Sequence, residues 1–108
     1  MNQYKFNHSV AFSIAYAATM EANVSDTRNI ITINLTGNGT LDLADEAKPS
    51  IGDEIILKVS SDATARDLTF GTGFTAPALA GTISKTKVIS LVFDGTSFIA
   101  TGTAVQID

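Results

Sequence analysis

The strongest constraint on the fold is the stretch Val88 to Thr101, V-I-S-L-V-F-D-G-T-S-F-I-A-T, which reads as a strand, a tight turn and a second strand. Ile89, Leu91 and Phe93 fall on one side of an extended chain, with Val88 and Val92 on the other. A strand apolar on both faces reads as central and buried. Asp94-Gly95 supplies a primed hairpin turn, since glycine takes positive φ without steric cost and aspartate tolerates the left-handed region. Phe98 and Ile99 then return to the core. Such a hairpin specifies a β-domain and leaves the chemistry open.

The first twenty residues add a second pattern. Tyr4, Phe6, His8, Val10, Phe12, Ile14, Tyr16, Ala18 and Met20 alternate with Lys5, Asn7, Ser9, Ala11, Ser13, Ala15, Ala17 and Thr19. Strict period two predicts one long strand, or two strands with a bend, whose bulky face meets the core. The alanines would suit a helix, but the interleaved Val, Ile, Phe and Tyr favour extended chain. The small face, Ala11, Ser13, Ala15 and Ala17, admits close approach of another sheet, so these four are candidate contacts to a second copy or a scaffold. Close packing within one subunit is the alternative.

Further strands follow at short intervals. Ile31, Ile33 and Leu35 alternate with Thr32, Asn34 and Thr36; Gly37-Asn38-Gly39 turns the chain; Thr40 to Leu43 forms a short returning strand. Ile55, Leu57 and Val59 mark another strand, and Asp67 to Phe70 a shorter one. Gly71 to Gly81 reads as an irregular loop, in which Phe74 and Leu79 are either interface anchors or caps on one end of the core. Thr103 to Ile107 completes the set as an edge strand. Strands spaced in this way, with Gly, Asp and Asn turns, predict an all-β antiparallel sandwich or barrel. We expect one domain over residues 1–108, with 1–22 as an N-terminal strand or arm packing on or beyond a 29–108 sandwich.

Composition bounds the function. Charged residues make up 17% of the chain, below the roughly 25% of ordinary soluble domains, so part of the exterior is expected to lie against another copy or another protein. The net charge of -4 and the absence of a basic run argue against nucleic acid, which needs clustered Lys and Arg. Without cysteine there are no disulfides, zinc thiolates or thiol nucleophiles. Lys5 and the run Val10 to Ala18 resemble a signal peptide. The run is too short to span a bilayer, and we expect a structural segment of a protein made in the cytoplasm, with no membrane partner.

No catalytic set is visible. The one histidine, His8, has no nucleophile elbow of the G-x-S-x-G kind to serve, and we expect it to pack or to line an interface. Asp42, Asp45 and Glu46, or Asp53 with Glu54, match no EF-hand spacing; turn capping and solvation account for them, and no metal is expected. Adjacent Asp53 and Glu54 would point to opposite sides of a strand, so they do not form a glycosidase pair. Gly71-Thr72-Gly73 lacks the lysine and helix of a phosphate loop. The expectation is a protein that is not an enzyme and carries no cofactor.

The order G-D-E-I-I-L-K-V from Gly52, L-T-F-G-T-G-F from Leu68, a proline-containing loop and V-I-S-L-V-F-D-G-T-S-F-I-A-T-G from Val88 resembles small β-domains in virion proteins of tailed bacteriophages. Such domains occur in head decoration, or auxiliary capsid, proteins and in head or tail fibres. The resemblance covers the C-terminal half. It implies a homotrimeric β-sandwich or jelly roll that binds the major capsid protein or another virion protein. The short chain, without a repetitive shaft, favours decoration. The alternative is a fibre or a receptor- or carbohydrate-binding module, whose aromatic platform would have to come from Tyr4 and Tyr16, since tryptophan is absent.

Overall fold

Two eight-residue segments, Arg28–Leu35 and Glu54–Ser61, form the centre of the molecule. An extended backbone puts their Ile31, Ile33 and Leu35, and Ile55, Leu57 and Val59, on one face. None of the six is more than 2% exposed. The computed structural model describes residues 8–108. Its strands, in chain order, are β1 (Ser9–Ile14), β2 (Thr19–Ala22), β3 (Arg28–Leu35), β4 (Gly39–Leu43), β5 (Glu54–Ser61), β6 (Asp67–Phe70), β7 (Phe74–Thr75), β8 (Leu79–Ala80), β9 (Thr86–Phe93), β10 (Phe98–Ala100) and β11 (Val105–Gln106).

These strands make two sheets. A seven-stranded sheet runs β1-β3-β5-β9-β10-β7 with β11 also paired to β9, and a four-stranded sheet runs β2-β4-β6-β8. The fold is all-β in two layers around one core, as expected for a sandwich. The N-terminal alternation resolves as two strands with a bend, β1 in one sheet and β2 in the other. The opening residues of that alternation, Tyr4 to Asn7, lie outside the described residues.

The expected antiparallel pairing is corrected. From β1 to β6 the chain alternates between the sheets, and each strand lies parallel to the one two before it. Three rungs therefore stack: β1 with β2, β3 with β4, and β5 with β6. The segment Thr40 to Leu43, expected to return beside β3, instead crosses to the opposite sheet. Antiparallel pairs begin only where β9 docks on β5 and β8 on β6.

The corners explain the crossover. Thr40 N donates to Ala18 O at 2.9 Å, and Tyr16 Oη donates to Asn38 O at 2.8 Å. Asp67 N donates to the Asn38 side-chain oxygen at 3.0 Å. Successive corners are thus stacked and hydrogen-bonded to each other, and Tyr16 lies so close to Gly37 that a Cβ there would displace its ring and hydroxyl. Crossing at each corner lets both strands of a rung turn their apolar face inward, an outcome that alternation alone does not distinguish from a hairpin.

Asn29 organises another corner from within the core. It is fully buried. Its side-chain oxygen accepts from Ser25 N and Asp26 N at 3.2 and 3.3 Å, and its amide donates to Asp26 O and Glu54 O at 2.9 and 3.1 Å. One side chain thereby satisfies the backbone of the β2–β3 turn and ties it to β5.

The Val88–Thr101 hairpin is present as β9 and β10, but its turn differs from expectation. Phe93 pairs with Phe98, which leaves Asp94 to Ser97 as a four-residue loop in place of a two-residue primed turn. Asp94 Oδ1 accepts from Thr96 N and Ser97 N at 2.8 and 2.9 Å, and only Gly95, at φ 105°, takes the positive region. The carboxylate closes the turn by accepting both N–H groups, so Asp94 needs no left-handed conformation. Behind it Phe70, Phe74, Phe98 and Phe93 form a chain of tilted ring contacts with centroids 5.1 to 5.8 Å apart.

Candidate association surface

The alternation that fills the core also decides what each sheet presents outside. On β2, β4 and β6 of the four-stranded sheet the outward residues are Thr19 and Glu21, Thr40 and Asp42, and Asp67 and Thr69, with Ala80 of β8 beyond them. Those of the first three strands are all polar and three are acids, so this face suits water.

The outward side of the seven-stranded sheet has the opposite character. Register places Ala11, Ile30, Ile56 and Ser90 in one row across four strands. The neighbouring row carries Arg28, Glu54, Val92 and Ile99, and the row on the other side carries Thr32, Lys58 and Val88. Ile30, Ile56, Val88, Val92 and Ile99 are half-buried, shielded only by their neighbours in the sheet. Among the described residues no third layer covers them. The margin is polar: Arg28 and Glu54 form an ion pair at 3.2 Å, and Ser60 Oγ donates to Asn34 Oδ1 at 2.5 Å. An apolar strip inside a polar margin is the composition of a protein–protein contact.

The candidates named from sequence fall in different places. Ala11 and Ser13 are exposed on the outward face of β1, at the edge of this same sheet, and Ala15 and Ala17 are exposed in the β1–β2 corner. Phe74 and Leu79 are 8% and 3% exposed and belong to the core, closing it beside Phe70 and Phe98. Val88 and Val92 were read as buried and Ile99 as returning to the core with Phe98, whereas all three are half-buried on the outward side; Ile30 and Ile56 were not singled out for this face. Their signal was the doublets Ile30-Ile31 and Ile55-Ile56, where alternation breaks and the outward position is apolar as well.

Two clefts open between the loops. The larger, about 450 Å³, lies between the β2–β3 and β4–β5 loops, with Asp26, Glu46, Lys48 and Asp53 on its walls. Two of its acids are engaged locally: Asp53 accepts from Ser50 N at 2.8 Å, and Asp26 accepts from Thr27 N at 2.9 Å. Among the described residues no cluster of three or more His, Asp or Glu could hold a metal ion. The smaller, about 240 Å³, is largely apolar and lies between Leu79, Ile89 and Ala104, with Lys87 at its rim donating to Ala80 O at 2.7 Å.

His8 is largely exposed, with Nδ1 4.0 Å from Asp26 Oδ1. Asp42 Oδ1 accepts from Thr72 N at 2.8 Å, holding the β6–β7 turn against β4. Asp62 receives a two-pronged contact from Arg66, at 2.9 and 3.1 Å, and also accepts from Thr64 N. The Arg66 hydrogen bonds, then that of Thr64, hold the Asp62 carboxyl below the usual carboxylate range, and the same contact raises Arg66. The N–H groups of Ser97 and then Thr96 lower Asp94 in the same way. These acids organise loops, and their depressed pKa values follow from that work. No protein family, curated protein or solved structure matches the chain.

Proposed function

We propose that this protein is a non-enzymatic structural component of a bacteriophage virion, of the head-decoration type, which binds the major capsid protein in several copies and reinforces the shell. The observation that supports this reading is the contrast between the two outer faces: polar and acidic on the four-stranded sheet, apolar around Ile30, Ile56, Val92 and Ile99 on the seven-stranded sheet. One side then faces solvent while the other lies on the capsid. Binding that favours the assembled shell stabilises it by mass action, and many modest contacts add up. The homotrimer implied by the sequence resemblance is part of this proposal for the assembled particle. So is jelly-roll kinship, confined to the half of the chain from β5 onward, where the resemblance lies and the antiparallel pairs begin. The protein is made in the host cytoplasm and ends in the virion, without nucleic acid or membrane as partner.

Immunogold labelling of intact particles with antibody to this chain tests the proposal. Label spread over the head is expected; no particle-associated label would contradict it. Ile56→Lys, which charges the apolar strip and leaves the core intact, should abolish recovery with particles while the thermal unfolding midpoint stays close to that of the wild type.

A fibre component is the second reading, favoured by one observation. The parallel stacking of β1 to β6 is a rung-on-rung arrangement, the way elongated solenoid proteins grow. Label confined to fibres would select it.

A further inference from the structure

Among the described residues the stack of rungs ends at β1. No described strand pairs with the far side of β1 from Val10 to Ile14. His8 O accepts from Arg28 N at 3.0 Å, which fixes the parity of the ladder. The even residues Val10, Phe12 and Ile14 turn their N–H and C=O to β3, and Ala11 and Ser13 turn theirs to the open edge. The core runs out at the same place. Val10, Phe12 and Ile14 point inward yet are only half-buried, whereas Ile31 and Ile33 beside them on β3 are fully buried.

Natural sheets protect such an edge with charge, proline, a bulge or shortness. β1 has six residues without charge or proline. By contrast β7 and β8, the strands at the other ends of the two sheets, are two residues each, and β2, at the same end as β1, carries Glu21.

We infer that β1 is a pairing edge for a second copy of this chain, joined antiparallel about a two-fold axis at Phe12. The register follows from parity. Opposed residues in an antiparallel pair share a face, and the outward N–H groups belong to odd positions. Setting Phe12 opposite its own copy puts Val10 against Ile14 on the core side and Ala11 against Ser13 on the outer side. Ala11 and Ser13 are then the residues whose backbones exchange hydrogen bonds. No charge meets a like charge across β1, although the chain as a whole is at -4. A six-residue strand at about 3.3 Å per residue, across two layers spanning about 20 Å, gives about 400 Å² per copy. That is about half of a standard stable interface, so the pair dissociates on dilution. The inference is independent of the virion reading; where threefold contacts also form, the edge joins two such units.

Sedimentation equilibrium of the full chain across a dilution series, against a chain mass of 11.3 kDa, tests it. The expected mass at the highest concentration is an even multiple, falling by half on dilution. Ala11→Lys/Ser13→Lys, which sets lysines opposite each other, should give half the wild-type mass at the same concentration. Ser13→Pro removes an outward N–H that β3 does not use, and should do the same. A wild-type mass that is an odd multiple at every concentration overturns the inference, as does an even mass that both variants leave unchanged.

Discussion

At the scale of the residue, polar side chains in this protein act as backbone organisers. Asn29 is the clearest case, because four backbone groups depend on one buried amide. Asn29→Leu keeps the branching of the side chain and removes every hydrogen-bond partner, and is expected to cost at least roughly 1 to 3 kcal/mol in urea unfolding, the range for stranding one buried polar group. The loop aspartates act similarly at the surface. Asp62 and Asp94 have folded-state pKa values below those of the unfolded chain. Their contribution is therefore complete above the ordinary carboxylate value of about 3.9 and is lost as pH falls through the lower folded-state values. Urea midpoints followed down to about pH 2 should decline in that window, and the decline should be shallower in Asp62→Asn/Asp94→Asn.

At the scale of the element, β9 joins β5 to β10, and Leu91 lies between Ile55 on one side and Ala100 on the other. Leu91→Ala is expected to destabilise by about 2 to 5 kcal/mol, as core truncations do; a near-neutral result in chemical denaturation would make the hairpin peripheral. Gly73 holds the β6–β7 turn at φ 86° with Leu43 packed where a Cβ would stand. Gly73→Ala should cost at least about 1 to 2 kcal/mol from the backbone conformation alone, read by the same method. Strand positions were legible in the sequence because period-two patterning marks them directly: Asp67 to Phe70 is β6 as read, and Ile31 to Leu35 and Ile55 to Val59 lie inside β3 and β5. Strand partners were not legible. The same alternation serves a hairpin or a crossover, and what selects the crossover is contact between corners far apart in sequence, such as Tyr16 on Asn38 and Asn38 on Asp67. The rungs also escape notice as a repeat, because β1 meets β3 nineteen positions on while β3 meets β5 twenty-six positions on.

At the scale of the whole molecule, the two sheets present unlike outer faces, and among the described residues β1 ends the larger sheet. The apolar strip around Ile30 and Ile56 was only partly legible. Val88 and Val92 were read as buried because their strand is central, and they do lie in a central strand, but on the side that no further layer covers. Phe74 and Leu79 show the reverse: as loop residues they read as anchors or as caps on the core, and their burial follows from the short strands β7 and β8 that the loop contributes to both sheets. The central claim is that the seven-stranded sheet is the working surface. Hydroxyl-radical footprinting, comparing the free protein with the same protein in assembled particles, tests it most directly. The account predicts loss of labelling at Ile30, Ile56, Val92 and Ile99, with labelling kept at the exposed Ile83 in the β8–β9 turn. Protection concentrated instead on the cleft between the β2–β3 and β4–β5 loops, or no protection of the sheet face at all, would contradict it.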